Sequence, residues 1–174
     1  MSATRSLPPL DRNKRLSEAT TFRAGGTALY YSEPESIEEL VNLREFANSV
    51  GLPLYVFGNG SNLLIKDGLI EAVIVRLGAQ FKSLALSPDK QTLVVGAACP
   101  MPKISVFAQR NGIAGFHFLI GIPGSAGGGI FMNAGTGGIT GPTISDLVKR
   151  IELLDLDDGS VRRIDSKYLD AAHR

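Results

Sequence analysis

Short apolar runs and one helical pattern fill the first third of the chain. Ala28–Tyr31 is a short apolar run and predicts a β-strand. Apolar positions then recur at helical spacing over residues 37–50, after a Ser36 and Glu39 pair that is typical of a capping box. Gly51 follows, where the first residue beyond a helix is commonly glycine. The pattern therefore predicts a strand followed by one amphipathic helix.

A second apolar run, Leu54–Phe57, predicts a buried strand that leads directly into a glycine loop. Strand, helix and strand in this order predict a βαβ unit and a small α/β arrangement. Residues 1–20 are largely polar, and we expect them to form a loose N-terminal arm. The later patterns predict strands over 72–77 and 92–97, a helix over 104–109, and a hairpin of 151–156 with 161–164 around an Asp-Gly turn.

The stretch from Asn111 to Ser145 contains no Asp, Glu, Lys or Arg. We reject a membrane-spanning helix there, because two prolines and the nine glycines between Gly121 and Gly141 are incompatible with a lipid-exposed helix. Glycine makes up 20 of the 174 residues, about 11%, against roughly 7% in average proteins. Irregular backbone that lines a cofactor or substrate cavity is the favoured interpretation, and tight packing alone is the alternative.

Composition narrows the class of protein. Lys plus Arg total 18 and Asp plus Glu total 17, which argues against binding to nucleic acid or to a membrane surface through excess basic charge. Cys99 is the only cysteine, so the chain can form neither an intrachain disulfide nor a cysteine-based zinc site. His117 and His173 are the only histidines, and no metal site is expected. The first residues lack the apolar core of a secretory signal, so we expect a cytoplasmic protein.

The loop Gly58-Asn59-Gly60-Ser61-Asn62 follows a predicted strand directly. Its two glycines permit a backbone in which successive N–H groups point to one place, and such a nest suits a diphosphate. Ser61 and Asn62 add side-chain donors. An ordinary polar turn is the alternative interpretation of this loop.

A second glycine-rich segment runs from Gly121 to Gly129 and is followed by Asn133-Ala134-Gly135. Its small residues would let a flat ring lie against the backbone, with N–H groups directed at the polar edge of the ring. Asn133 could supply one more donor or acceptor. Neither glycine segment has the spacing of a Walker loop or a Rossmann fingerprint, so neither of those nucleotide sites is expected.

Several motifs in order resemble one enzyme family. The chain reads Thr21-Phe22-Arg23-Ala24-Gly25-Gly26, then Pro34-Glu35-Ser36 at the start of the predicted helix, then Gly58-Asn59-Gly60-Ser61-Asn62-Leu63-Leu64, then Gly121-Ile122-Pro123-Gly124-Ser125-Ala126-Gly127-Gly128, then Asn133-Ala134-Gly135. Together they resemble the UDP-N-acetylenolpyruvoylglucosamine reductases, which are also called UDP-N-acetylmuramate dehydrogenases or MurB. The resemblance extends from about Thr21 to the end of the chain, and five motifs in the right order are far more specific than one.

The resemblance implies an α+β or α/β fold, namely the FAD-binding fold of the vanillyl-alcohol oxidase (PCMH) type, with FAD between two small subdomains. Those subdomains are expected at 21–80 and 81–174, the second of them incomplete. The implied reaction belongs to peptidoglycan synthesis: NADPH reduces FAD, and the flavin passes hydride to the enolpyruvyl group of a UDP-sugar. A serine protonates the neighbouring carbon, while an arginine and a glutamate stabilise the intermediate.

Residue by residue, the resemblance assigns the cofactor loops and one catalytic position. The implied FAD-binding residues are Gly58, Asn59, Gly60, Ser61, Asn62, Ile122, Pro123, Gly124, Ser125, Gly127, Gly128, Asn133, Ala134 and Gly135. Arg174 aligns with the catalytic arginine, although His173 stands where the family has tyrosine. His117 occupies a position where the family commonly has glutamate. The family is much longer than 174 residues, so its substrate-binding domain, catalytic serine and catalytic glutamate are expected to be absent here.

Two further interpretations remain open. The chain could be a non-catalytic or split flavin-binding module of the same ancestry, completed by self-association or by a partner chain. It could also be another oxidase of the same fold, in which His117 would be the candidate for covalent attachment of flavin.

Overall fold

A computed structural model describes residues 7–168, and the chain divides after Phe81 into two compact units. We call the part before this boundary unit 1 and the part after it unit 2. No helix within residues 7–168 combines the length and the apolar character needed to cross a membrane.

Unit 1 is built on a four-stranded sheet. Its elements are β1 (Asp11–Arg15), a 3₁₀ helix (Leu16–Glu18), β2 (Thr27–Ser32), α1 (Ile37–Ser49), β3 (Leu54–Phe57) and β4 (Leu69–Arg76). The strand order is β1-β2-β4-β3, in which β1 is antiparallel to β2 and the other pairs are parallel. A further 3₁₀ helix, Ala79–Lys82, spans the boundary between the units.

The predicted helix is confirmed, and its ends follow the expected chemistry. The Ser36 hydroxyl accepts a hydrogen bond from the Glu39 N–H at 3.1 Å. The Glu39 carboxylate accepts from the Glu35 N–H at 2.6 Å rather than from Ser36, so the reciprocal bond of a capping box is shifted by one residue. The helix ends at Ser49, and Gly51 has the left-handed φ of +68° that favours glycine after a helix.

Strand β4 is the centre of the sheet, with Ala72–Val75 buried. The predicted strand–helix–strand order is correct, but β2 and β3 are not neighbours, because β4 lies between them. The expectation that Leu54–Phe57 is buried is wrong for Tyr55 and Val56, which are exposed. As the edge strand, β3 has a neighbour on one side only, and a short apolar run does not reveal this in the sequence.

The expectation of a loose arm over residues 1–20 is corrected for its described part. Asp11–Arg15 forms an edge strand, and Leu16 is 0% exposed within the core of unit 1. The Leu16 N–H donates to the Gly26 carbonyl at 2.8 Å, which fixes the end of the strand. Because the side chains of β1 are mostly exposed, the strand is polar and leaves no apolar pattern to recognise.

Unit 2 contains two separate antiparallel hairpins and two helices. Its elements are β5 (Leu84–Leu86), β6 (Leu93–Val95), α2 (Met101–Arg110), α3 (Ala126–Phe131), β7 (Arg150–Leu154) and β8 (Val161–Asp165), with 3₁₀ helices at His117–Gly121, Gly138–Thr140, Ile144–Asp146 and Ser166–Tyr168. The predicted hairpin is confirmed as β7 and β8, although six residues rather than a two-residue turn connect them. Cys99, Met101, Leu119 and Ile144 belong to the core of this unit.

The burial of Leu16 yields a stability prediction. Replacing Leu16 by Ala removes a fully buried side chain, and we expect it to lower the free energy of unfolding by about 2–5 kcal/mol. Leu64→Ala is the matched control, because Leu64 is 84% exposed and its loss is expected to cost less than about 0.5 kcal/mol. Urea unfolding followed by tyrosine fluorescence reports mainly on this unit, which holds three of the four tyrosines, Tyr30, Tyr31 and Tyr55. Equal effects of the two variants would show that the segment is outside the core.

Candidate functional site

The glycine loop Gly58–Asn62 of unit 1 begins where β3 ends. Since β2, β3 and β4 are parallel, their carboxyl ends lie at the same edge of the sheet. Ligands of open α/β sheets commonly bind beyond this edge. The loop is therefore placed where a ligand is expected on topological grounds alone.

Gly60 fastens the loop to the segment that follows β1. The Thr21 N–H donates to the Gly60 carbonyl at 3.1 Å. Gly60 has a φ of +67°, and a Cβ there would lie 2.4 Å from the carbonyl oxygen of Ala19. Glycine is thus required at this position by packing within unit 1, and no ligand is needed to explain it.

Gly26 and Gly68 join the start of β2 to the segment that connects the glycine loop to β4. The Gly26 N–H donates to the Lys66 carbonyl at 2.9 Å, and the Thr27 N–H donates to the Gly68 carbonyl at 2.8 Å. A Cβ on Gly26 would lie 1.9 Å from the Gly68 carbonyl oxygen, a distance that no side chain can occupy. The motif Thr21–Gly26, which served only as a family marker in the sequence, therefore supports the loop. Its consecutive glycines were the available signal of close backbone approach.

The polar side chains of the loop are placed differently. Asn62 is exposed and Asn59 is half-buried, and neither makes a hydrogen bond within residues 7–168. Gly58 and Ser61 are half-buried, whereas Gly60 is buried. The loop thus combines a fixed backbone with two amide side chains that are available to a polar ligand.

In unit 2, Ser125 organises the second glycine segment. Its side chain is 2% exposed and accepts a hydrogen bond from the Gly128 N–H at 3.4 Å, as the cap of α3. The Met101 N–H donates to the Gly124 carbonyl at 3.0 Å, and the Ala126 N–H donates to the Cys99 carbonyl at 2.8 Å. These bonds fix the course of the segment up to the start of α3.

The expectation of irregular backbone is corrected for Ala126–Phe131, which is helical despite three consecutive glycines. Two of these glycines are closely packed against neighbouring atoms. A Cβ on Gly127 would lie 3.1 Å from the Ala97 Cβ, and one on Gly129 would lie 2.7 Å from the Met101 Sδ. A capping serine and close helix packing thus overcome the poor helix propensity of glycine.

Gly128 is different from its neighbours. It is exposed, and a Cβ there would meet only the Ser125 Oγ, at 3.3 Å. The third residue of a capped helix ordinarily carries a side chain, so this distance does not demand glycine. Nothing in the described part of the chain explains the missing side chain at this position, and the open space suits the close approach of a flat group.

Asn133-Ala134-Gly135 is held by backbone contacts to a later segment. Asn133 has a φ of +43°, and its Oδ1 accepts from the Ser145 N–H at 3.4 Å. The Ile144 N–H donates to the Ala134 carbonyl at 2.8 Å, and a Cβ on Gly135 would lie 2.6 Å from the Pro142 carbonyl oxygen. The Asn133 side chain thus helps to shape this turn, a role that its residue type alone does not predict.

The remaining predicted residues have varied exposure. Pro123 is exposed, and Ile122, Gly124 and Ala134 are half-buried. Gly124 has a φ of +130°, which favours glycine. Arg174, the predicted catalytic residue, lies outside the described residues.

The remaining reactive side chains in the described part of unit 2, up to residue 168, form no recognisable centre. Cys99 is buried, and burial raises the pKa of its thiol, as expected for an inert cysteine. His117 is exposed at the start of a 3₁₀ helix, at the rim of a shallow cavity of about 420 Å³. Within residues 7–168 no three His, Cys, Asp or Glu side chains converge as metal ligands would.

Glycine-rich loops in an α/β protein are typical of proteins that bind a nucleotide cofactor. Comparison with known families identifies the particular family. The family described as FAD binding domain matches residues 28–165. The chain therefore belongs to the FAD-binding domain family. The UDP-N-acetylenolpyruvoylglucosamine reductase of Rickettsia canadensis is 41% identical over 145 residues, which are 83% of this chain and 47% of that relative. The resemblance inferred from the sequence motifs is confirmed.

Solved structures agree with this assignment. The reductase MurB from Thermus caldophilus superposes with a TM-score of 0.78 at 31% identity, covering 95% of this chain and 56% of that structure. The 6-hydroxy-D-nicotine oxidase from Arthrobacter nicotinovorans superposes with a TM-score of 0.68 at 15% identity, covering 97% and 38%. The expected FAD-binding fold of the vanillyl-alcohol oxidase type is confirmed. The chain spans about half the length of the curated relatives it matches.

The contrast between neighbouring glycines in α3 yields a stability prediction. Gly128→Ala is expected to raise the free energy of unfolding by about 0.5–1 kcal/mol, because alanine favours a helix and has space here. Gly129→Ala is the matched control and is expected to lower it by about 1 kcal/mol or more, because its Cβ would press against buried Met101. Urea unfolding followed by circular dichroism measures both. A destabilised Gly128→Ala would reveal a packing role for that glycine.

Proposed function

We propose that this chain is the FAD-binding part of a reductase that converts UDP-N-acetylglucosamine enolpyruvate to UDP-N-acetylmuramate in peptidoglycan synthesis. The observation that carries the proposal is the glycine loop Gly58–Asn62, whose backbone is fixed by close contacts while Asn59 and Asn62 make no hydrogen bond within residues 7–168. Its support from known proteins is the 41% identity to a reductase of that name.

The residues present fit a flavin dinucleotide in both units. We propose that the loop Gly58–Asn62, including Gly60 and Ser61, holds the diphosphate through backbone N–H groups and amide side chains. In unit 2 the flat ring is proposed to lie against backbone that carries no bulky side chains, at Gly124 and Gly128. The further proposed contacts there are Ile122, Pro123, Ser125, Gly127, Asn133, Ala134 and Gly135.

When bound, FAD supplies hydride-transfer chemistry between NADPH and the enolpyruvyl group of the UDP-sugar. The part proposed for this chain is to bind the cofactor and to fix its orientation, which the anchored loops are built to do. Arg174 is proposed to stabilise the negative charge that develops on the substrate. Because NADPH and nucleotide sugars are cytoplasmic compounds, a cytoplasmic location stays part of the proposal, as do self-association and a partner chain.

FAD binding to the 174-residue chain is the first expectation to test. We expect saturable binding, followed by quenching of flavin fluorescence, that weakens about tenfold in Asn62→Ala, because a hydrogen bond to a charged phosphate is lost. Asn48→Ala is the matched control, since Asn48 is exposed on α1, away from the loop, and binding should not change. No binding by the folded chain would contradict the proposed function.

The ring contact at Gly128 offers a second, independent variant of the same titration. Gly128→Ala places a methyl group on the exposed side of α3, so we expect weaker FAD binding in a chain that is more stable. Loss of affinity with a gain of stability separates a cofactor contact from a folding defect. Unchanged affinity would remove Gly128 from the proposed contacts.

Catalysis distinguishes the reductase from a flavin-binding module that is inactive by itself. We expect the 174-residue chain alone to show no NADPH oxidation that depends on the enolpyruvyl UDP-sugar, because the catalytic serine and glutamate that the family uses are expected to lie outside these residues. Adding the substrate to the flavin-loaded chain while NADPH absorbance is followed tests this. Clear substrate-dependent turnover would show that these residues suffice.

A further inference from the structure

Arg76 ends the central strand β4 beside the glycine loop of unit 1. In the parallel pairing of β3 with β4, the Cα partner of Arg76 is Phe57, and Gly58 is the next residue. The arginine and the first residue of the loop therefore leave the sheet side by side, at its carboxyl edge.

The face of the sheet on which Arg76 lies follows from the register. Ile74 is paired with Tyr31, and both belong with Phe57 to one hydrophobic cluster. Residues two apart on a strand share a face, so Arg76 continues the face of Ile74. Arg76 thus stands at the end of the buried face of the sheet, next to Phe57 and Tyr31.

Tyr31 and Glu33 lie beside the arginine. The Tyr31 hydroxyl donates to the Glu33 Oε1 at 2.5 Å, and Arg76 is close enough to influence the same hydroxyl. Burial and the neighbouring Glu33 carboxylate raise the pKa of Tyr31 well above its usual value, so the phenol stays protonated. A guanidinium has five N–H donors, and the contact to one hydroxyl leaves donors for another partner.

The charges around the loop indicate which kind of partner Arg76 would suit. Residues 54–65, which contain the entire loop, carry no charged side chain, whereas a flavin dinucleotide brings a doubly negative diphosphate. Arg76 is half-buried and forms no salt bridge with any residue in the range 7–168. A half-buried guanidinium is most stable with an anion, and arginine matches phosphate oxygens in pairs.

We propose that Arg76, at the end of β4 beside the loop, is the cation that binds the diphosphate of the cofactor at the loop Gly58–Asn62. This inference rests on the proposed function and adds to it the one charged side chain that the loop itself lacks. Arg23 is the competing cation, because it lies two residues beyond Thr21, which contacts Gly60. Arg23 is exposed and is therefore a weaker partner for phosphate than the half-buried Arg76.

Titrations of the 174-residue chain with FAD and with riboflavin, which has no phosphate, test the inference. Arg76→Gln is expected to weaken FAD binding about 10- to 100-fold and to leave riboflavin binding unchanged. Arg76→Lys keeps the charge but not the paired donors, so an intermediate loss is expected. Arg23→Gln is the matched control, with FAD binding altered less than about threefold.

The outcomes separate the inference from the proposed function. If the unaltered chain fails to bind FAD, the proposed function is wrong and the inference falls with it. If the unaltered chain binds FAD and Arg76→Gln binds it equally well, only the inference is wrong. Equal losses for FAD and riboflavin in both Arg76 variants would assign Arg76 a structural role, and a larger loss in Arg23→Gln would identify Arg23 as the phosphate cation.

Discussion

Close approach of backbone to backbone is the constraint on which the proposed cofactor loop of unit 1 depends. At Gly26 and Gly60 the chain passes so near a carbonyl oxygen that a single Cβ would have no room. Side chains therefore cannot mediate these contacts, and hydrogen bonds between main-chain groups do so instead. A loop fastened at both ends in this way keeps its N–H groups oriented before any ligand arrives, which reduces the entropy lost on binding.

The glycines in and around the two proposed cofactor segments fall into two physical groups. Gly26, Gly60 and Gly135 are enforced by backbone atoms of the same chain, and Gly127 is in tight contact with Ala97. Gly128 is not enforced in this way, and its lack of a side chain lowers the stability of the helix without improving the packing. A local cost that the fold does not explain is typical of positions that serve a ligand. The distinction cannot be seen in the sequence, where all these glycines look alike.

Much of the fold could be predicted from the sequence because its signals are local. The capping residues around α1 and the Asp-Gly hairpin of unit 2 have short-range causes, and both predictions are confirmed. The predictions that were wrong concern elements whose structure depends on residues far away in the sequence. Strand β1 is polar because its edge position exposes it, and α3 is helical because Ser125 caps it and Met101 packs on it. Motif order indicated the proposed cofactor loops, but only strand register placed Arg76 beside one of them.

The burial of Cys99 has a practical consequence for experiments on this chain. It is the only cysteine, its side chain is 0% exposed, and burial keeps its thiol protonated. Thiol-reactive dyes and spin labels need an accessible thiolate, so we expect the natural chain to react with them very little. One cysteine introduced at an exposed position such as Asn48 could therefore carry a probe selectively, without first removing the native one.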